Sequence, residues 1–235
     1  MFYSQFKTIS SVKTAFNLTV VEGGRFMPEI EAIAPSPTLY GYLQESLPIV
    51  ATSGSEKARS EGITALFTRV NHKVSLRLYG EQLSPYNLQP TTYNLQPNFL
   101  TVVYPSENCC IYPMLLEVRR QLDRKVSLFS GEEFNVDESV GLNGVCDFLL
   151  TRSTEVLEIE APAVVVVEAK KTDLKTGFGQ CIAEMVAVKR FNEMQNHPIP
   201  TIYGSVSNGI QWQFLKLVES ILTIDLNVYS LPPVD

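Results

Sequence analysis

The sequence predicts an α/β domain with a mixed central sheet flanked by helices. Three observations carry this. Residues 144–150 and 163–170 are short apolar runs, the second largely β-branched, and both read as buried strands. Over 176–192 the apolar residues Phe178, Cys181, Ile182, Met185 and Val186 recur at helical spacing, so that helix must lay one face on the sheet. Residues 210–217 alternate strictly, as a half-buried strand does. The predicted order is helix, three strands, helix and further strands.

The chain is 235 residues long and 45% hydrophobic, enough for one large domain with appendages. No window approaches the run of about 20 apolar residues that a membrane helix needs. Residues 1–6 lack a charged segment followed by an apolar one, so no secretory signal is expected and the cytoplasm is the expected location. Cys109, Cys110, Cys146 and Cys181 show no zinc spacing and read as reduced thiols. A net charge of −6 argues against a nonspecific DNA coat, because phosphate binding rests on Lys and Arg. Basic residues do cluster locally, at Lys170, Lys171, Lys175, Lys189 and Arg190.

Taken in order, residues 1–52 read as an N-terminal extension to a domain spanning 53–235. Residues 1–35 suggest an irregular start with one or two short strands, since 16–21 are β-rich and Gly23-Gly24 signals a turn. A short helix is expected over 39–47. Another is expected over 53–70, with Ser55 as its N-cap and Glu61 on its surface. Residues 71–112 read as an insertion. There Tyr86-Asn87-Leu88-Gln89-Pro90 recurs as Tyr93-Asn94-Leu95-Gln96-Pro97; the prolines forbid a helix, and two copies are too few for a repeat fold. A helix follows over 113–125, with Pro113 in its first turn and an apolar stripe of Met114, Leu115, Val118 and Leu122 bordered by Glu117. Strands are expected over 126–129, 199–206 and 221–229, with an acidic strand or loop over 132–137 and a tight hairpin at Ser207-Asn208-Gly209. Trp212 and Phe214 share one face of the alternating strand and are expected to pack there.

The chemistry gathers on the two apolar strands. Side chains alternate along a strand, so Glu168 and Lys170 share a face. With the two strands paired, Asp147 reaches the same end of the sheet. Two carboxylates suit a hard cation such as Mg²⁺, which completes its shell with water and substrate phosphate, and the Ala169 carbonyl adds a further oxygen. Lys170 is placed to orient a water or to stabilise charge on a phosphate. The plainer reading is that strand-end acids and lysines simply meet solvent. On the helix over 176–192, Gln180 and Glu184 stack one turn apart, and Gln180 can hydrogen-bond a phosphate, a base edge or a water.

Asp147, the apolar strand, Glu168-Ala169-Lys170 and the following helix with Gln180 resemble the core of the PD-(D/E)xK, restriction-endonuclease-like nuclease superfamily, over about residues 114–217. Cys146 stands where that motif often has proline. The wording Leu142-Asn143-Gly144-Val145-Cys146-Asp147-Phe148 is also similar to that of a group of bacterial, notably cyanobacterial, proteins with this fold. The resemblance implies a metal-dependent nuclease that hydrolyses phosphodiester bonds, most simply in DNA. Asp147, Glu168 and Ala169 would then hold Mg²⁺ or Mn²⁺. Lys170 would be catalytic, with Gln180 assisting and Glu117 as the helix acid facing the metal. It also allows a homodimer or a partner subunit. The alternative is a non-catalytic nucleic-acid or protein interaction module on the same fold, which the acidic charge favours.

Overall fold

The computed structural model describes residues 2–26, 34–52, 111–170 and 173–231. The helix expected over 53–70, Glu61 and the tandem repeat of the 71–112 insertion lie outside the described residues.

Helix α1 spans Ile9–Phe16, opened by the Thr8 side chain, which accepts from the Ser11 N–H, and closed by Asn17 in the left-handed region. Strand β1 follows at Thr19–Gly23. An irregular start was the sequence expectation for α1; its single turn-spaced row of Ile9, Val12 and Phe16 is short, and only Val12 is fully buried. Helix α2 runs over Pro37–Thr52 and exceeds the expected 39–47. Helix α3 is Ile111–Gln121. Then come β2 (Ser127–Glu133), β3 (Val145–Thr151) and β4 (Ala163–Ala169). Helix α4 (Phe178–Met194) crosses over to β5 (Thr201–Ser207), and β6 (Gln211–Val218), β7 (Ile221–Asp225) and β8 (Tyr229–Ser230) follow.

The result is a mixed α/β fold on an eight-stranded sheet in the order β1-β7-β6-β5-β4-β3-β2, with β8 on β6. β4 and β5 are parallel, as are β1 and β7; the other pairs are antiparallel. A parallel neighbour requires a long crossover, which α4 supplies between β4 and β5. The 1–52 extension is therefore woven into the sheet through β1, while α1 packs on α4.

Alternate residues of the same strands feed two cores. Val166, Ile202, Val206, Leu215 and Leu217 meet Cys181, Ile182 and Met185 of α4. Val167, Ala169, Phe148, Leu150 and Trp212 meet Ile111 and Leu115 of α3. Each large aliphatic so buried contributes about 1.5–3 kcal/mol. Under α4 the packing leaves no room for a side chain at Gly204: a Cβ there would run into Met185 Sδ and come within 3.1 Å of Cys181 Sγ.

Two sequence expectations are corrected. The buried face of α3 is Ile111, Pro113, Leu115 and Glu117, whereas Val118 is 43% exposed and Leu122, just past the helix, 47%. The helix is rotated because a buried acid, fully hydrogen-bonded, occupies the core side. The strand expected over 221–229 divides into β7 and β8, because Asp225 accepts from the Asn227 backbone and amide nitrogens and from the Tyr229 hydroxyl, closing an Asx turn between them. Among the described residues no helix is long and apolar enough to cross a membrane.

Candidate functional site

Strands β3 and β4 pair with Phe148 opposite Val167 and Leu149 opposite Val166. Continued one step, that register sets Asp147 beside Glu168. There the Asp147 side chain takes over from the ladder: its Oδ2 accepts the Ala169 N–H at 2.8 Å. On the other side, β4 lies parallel to β5, and the Lys170 N–H donates to the Ser207 carbonyl at 2.8 Å. This keeps the chain extended past Ala169, so Lys170 returns to the face of Glu168. Its Nζ donates to Glu168 Oε1 at 2.5 Å. Gly177, at the start of α4, leaves space for the lysine stem; a Cβ there would lie 2.6 Å from Val206 Cγ1 and 3.0 Å from Lys170 Cγ. The group sits at the carboxyl ends of a parallel strand pair, where open α/β sheets present their ligand crevices.

A third carboxylate joins from α4. Glu184 is fully buried, and Gln180 Nε2 donates to its Oε1 at 3.1 Å. Burial pushes Glu184 well above the usual carboxylate range, and the charges of Glu168 and Asp147 push it further. Burial and then the Asp147 charge raise Glu168 to about 8, against the pull of Lys170. Burial works against the Lys170 ammonium, but the Glu168 carboxylate outweighs it and holds the lysine above its ordinary value. The nearby thiols of Cys146 and Cys181 are raised by burial, and both cysteines are free and buried, as expected.

The polar accounting at this site is incomplete. Glu168 Oε2 and Glu184 Oε2 are buried without a hydrogen-bond partner. An unmet buried acceptor costs about 1–3 kcal/mol, and more when charged. A proton or a cation relieves that cost. Among the described residues no group of three or more His, Cys, Asp or Glu is arranged to hold a metal ion, so a cation here would draw on two carboxylates and on non-carboxylate oxygens.

Asp147, Glu168, Ala169 and Lys170 are thus brought together, with the Ala169 side chain turned into the opposite core. Gln180 joins through Glu184. Glu117, expected as the helix acid of the site, does not. Its carboxylate accepts from the Ser36 backbone at 3.1 Å, the Ser36 hydroxyl at 2.7 Å, Arg120 at 3.2 Å and Gln121 at 2.9 Å. Those four donors occupy the carboxylate, and the two from Ser36, the residue before α2, tie α2 to α3. Glu184 stood in the sequence only as the residue stacked on Gln180 and was not expected in the site; its signal was that spacing on a helix whose neighbouring face is wholly apolar.

No family model, curated protein or solved structure matches the chain.

Proposed function

We propose that the protein is a metal-dependent nuclease on a PD-(D/E)xK, restriction-endonuclease-like core, hydrolysing phosphodiester bonds in DNA. One observation carries this reading: Asp147 and Glu168 are crowded together at the end of β4 with Lys170 bonded to Glu168. The order of α3, β2, β3, β4, α4 and β5 supports it.

The donors suit Mg²⁺ or Mn²⁺. They are all oxygen, and Glu168 Oε2 accepts no hydrogen bond. Asp147, Glu168 and the Ala169 carbonyl would hold the cation, with water and phosphate oxygens completing the shell. Such a cation, when bound, supplies polarisation of the phosphate and acidification of water. Lys170 is an ammonium and so acts as a donor, orienting the attacking water and stabilising charge on the phosphoryl oxygens. Gln180 presents its amide to the substrate. Glu184, by accepting from Gln180, fixes how that amide is turned. The proposed setting is the cytoplasm, with DNA as partner and the active unit a homodimer or a complex with a partner subunit.

The second reading, an interaction module without catalysis, is favoured by the Lys170–Glu168 bond, which compensates the buried charge internally. Purified protein incubated with single-stranded, duplex and branched DNA separates the two. The proposal expects cleavage with Mg²⁺ or Mn²⁺, and none in chelator or in Asp147→Ala. No cleavage of any substrate with either metal sinks it.

A further inference from the structure

We propose that a cleft beside Gln180 takes an unpaired, amino-bearing nucleobase, so that the enzyme acts on single-stranded or splayed nucleic acid. The inference rests on the proposed function and names the substrate class of the same site.

The cleft has a volume of about 660 Å³, within the range typical of small-ligand sites. Its walls are the N-terminal segment, the loop before β3 and the first turn of α4. Phe2, Glu133, Glu138, Asn143 and Gln180 supply its chemistry, and none of its lining residues is Lys or Arg. A phosphate would therefore meet two carboxylates and no cation, so the cleft is not a backbone site. It suits the base instead. Phe2 is 60% exposed and offers a ring for stacking at the rim. Asn143 is 7% exposed, and its Oδ1 has no hydrogen-bond partner. That oxygen is buried, so the acceptors on the cleft wall are the exposed Glu133 and Glu138 carboxylates. Cytosine, adenine and guanine carry exocyclic amino donors that match such a wall, and thymine does not.

The cleft is built before any ligand arrives. Tyr3 donates its hydroxyl to the Phe134 carbonyl at 2.6 Å and its N–H to the Asn143 carbonyl at 2.9 Å. Asn135 Oδ1 accepts the Gly144 N–H at 2.9 Å. Gly144 has φ +135, and a Cβ there would come within 3.3 Å of the Tyr3 ring. The wall residue Gln180 connects the cleft to the buried acids, because its amide is held by Glu184. A base still paired in a duplex has its amino group engaged and its ring stacked, so entry requires an unpaired nucleotide.

The test uses the full chain in EDTA and measures fluorescence anisotropy of short end-labelled strands of dC, dA and dT and of a matching duplex. The expected result is roughly tenfold tighter binding of dC and dA than of dT, with the duplex weakest. Phe2→Ala, at an exposed position that does not support the fold, should weaken dC binding roughly tenfold. The double variant Glu133→Gln, Glu138→Gln should reduce the preference for dC over dT. Equal binding of dC and dT, preference for the duplex, or an unaffected Phe2→Ala overturns the subsite. Turnover is scored separately with Mg²⁺. Base preference in a protein that never cleaves upholds the subsite and removes the nuclease. Cleavage without base preference removes the subsite and leaves the nuclease.

Discussion

Replacing Glu117 with glutamine should loosen the junction between α2 and α3 without touching the acids at β4. The Ser36 hydroxyl does most to hold the Glu117 carboxyl down to about 2, from an ordinary 4.5; Gln121, the Ser36 N–H and Arg120 add to this, while burial opposes it. A shift of that size corresponds to about 3 kcal/mol. Arg120 is 44% exposed, so solvent screens its part, and about 2 kcal/mol remains. In a chain of this length that lowers the melting temperature by roughly 4–8 °C. The sign with pH follows from proton binding. The folded-state pKa is depressed, so between about 2 and 4.5 the unfolded chain binds the extra proton. The stabilisation is complete above that window and lost as pH falls through it. Thermal melts of wild type and Glu117→Gln, recorded from neutral to acid pH, should differ at neutrality and converge in acid. Equal melting temperatures at neutral pH would refute this role, and a difference seen only with Mg²⁺ would tie Glu117 to the acid cluster instead.

Three further outcomes are expected. Gly204→Val should destabilise by about 1–3 kcal/mol in chemical denaturation, because its side chain has no space under Met185 and Cys181; an unchanged midpoint counts against the packing described. Cys146 and Cys181, buried and with raised thiol pKa values, should resist a thiol reagent in the native state and react on unfolding; rapid labelling of both in native protein contradicts this. Glu168, raised from 4.5 to about 8, binds a proton in the folded state that the unfolded state has lost, so metal-free stability should fall as pH climbs through that interval. Glu168→Gln should flatten that slope, and an unaltered pH profile would remove Glu168 as its source.

What could be read in sequence depended on how local the cause was. β4 was legible because Ala163–Ala169 is buried on both faces and so is apolar at every position but Glu168. The hairpin at Asn208-Gly209 was legible because Gly209 needs φ 88 and Asn208 Oδ1 collects the Ile210 and Gln211 N–H groups. The pairing of β1 with β7 was not legible, since it joins Thr19 to Ile221 across almost the whole chain. Among the site residues, Asp147, Glu168 and Lys170 followed from strand alternation. Glu184 did not, because an acid on a helix ordinarily marks its solvated side; only the packing of α4 over β4 and β5 buries this one. Glu117 misled for the complementary reason. Its place beside an apolar stripe was visible, but Ser36, which claims its carboxylate, lies 81 residues earlier.

The assignment of Asp147 and Glu168 as a cation site is tested most directly by the melting temperature of three proteins with and without Mg²⁺ or Mn²⁺. Crowded carboxylates repel, and a bound divalent ion relieves that repulsion and stabilises the folded state by mass action. Wild type should therefore melt higher with metal. Asp147→Ala should lose that rise. Lys170→Met removes a competing positive charge, so its rise should persist or grow while its DNA cleavage is lost. Equal metal-induced shifts in wild type and Asp147→Ala, or no shift in any of the three, would contradict the account.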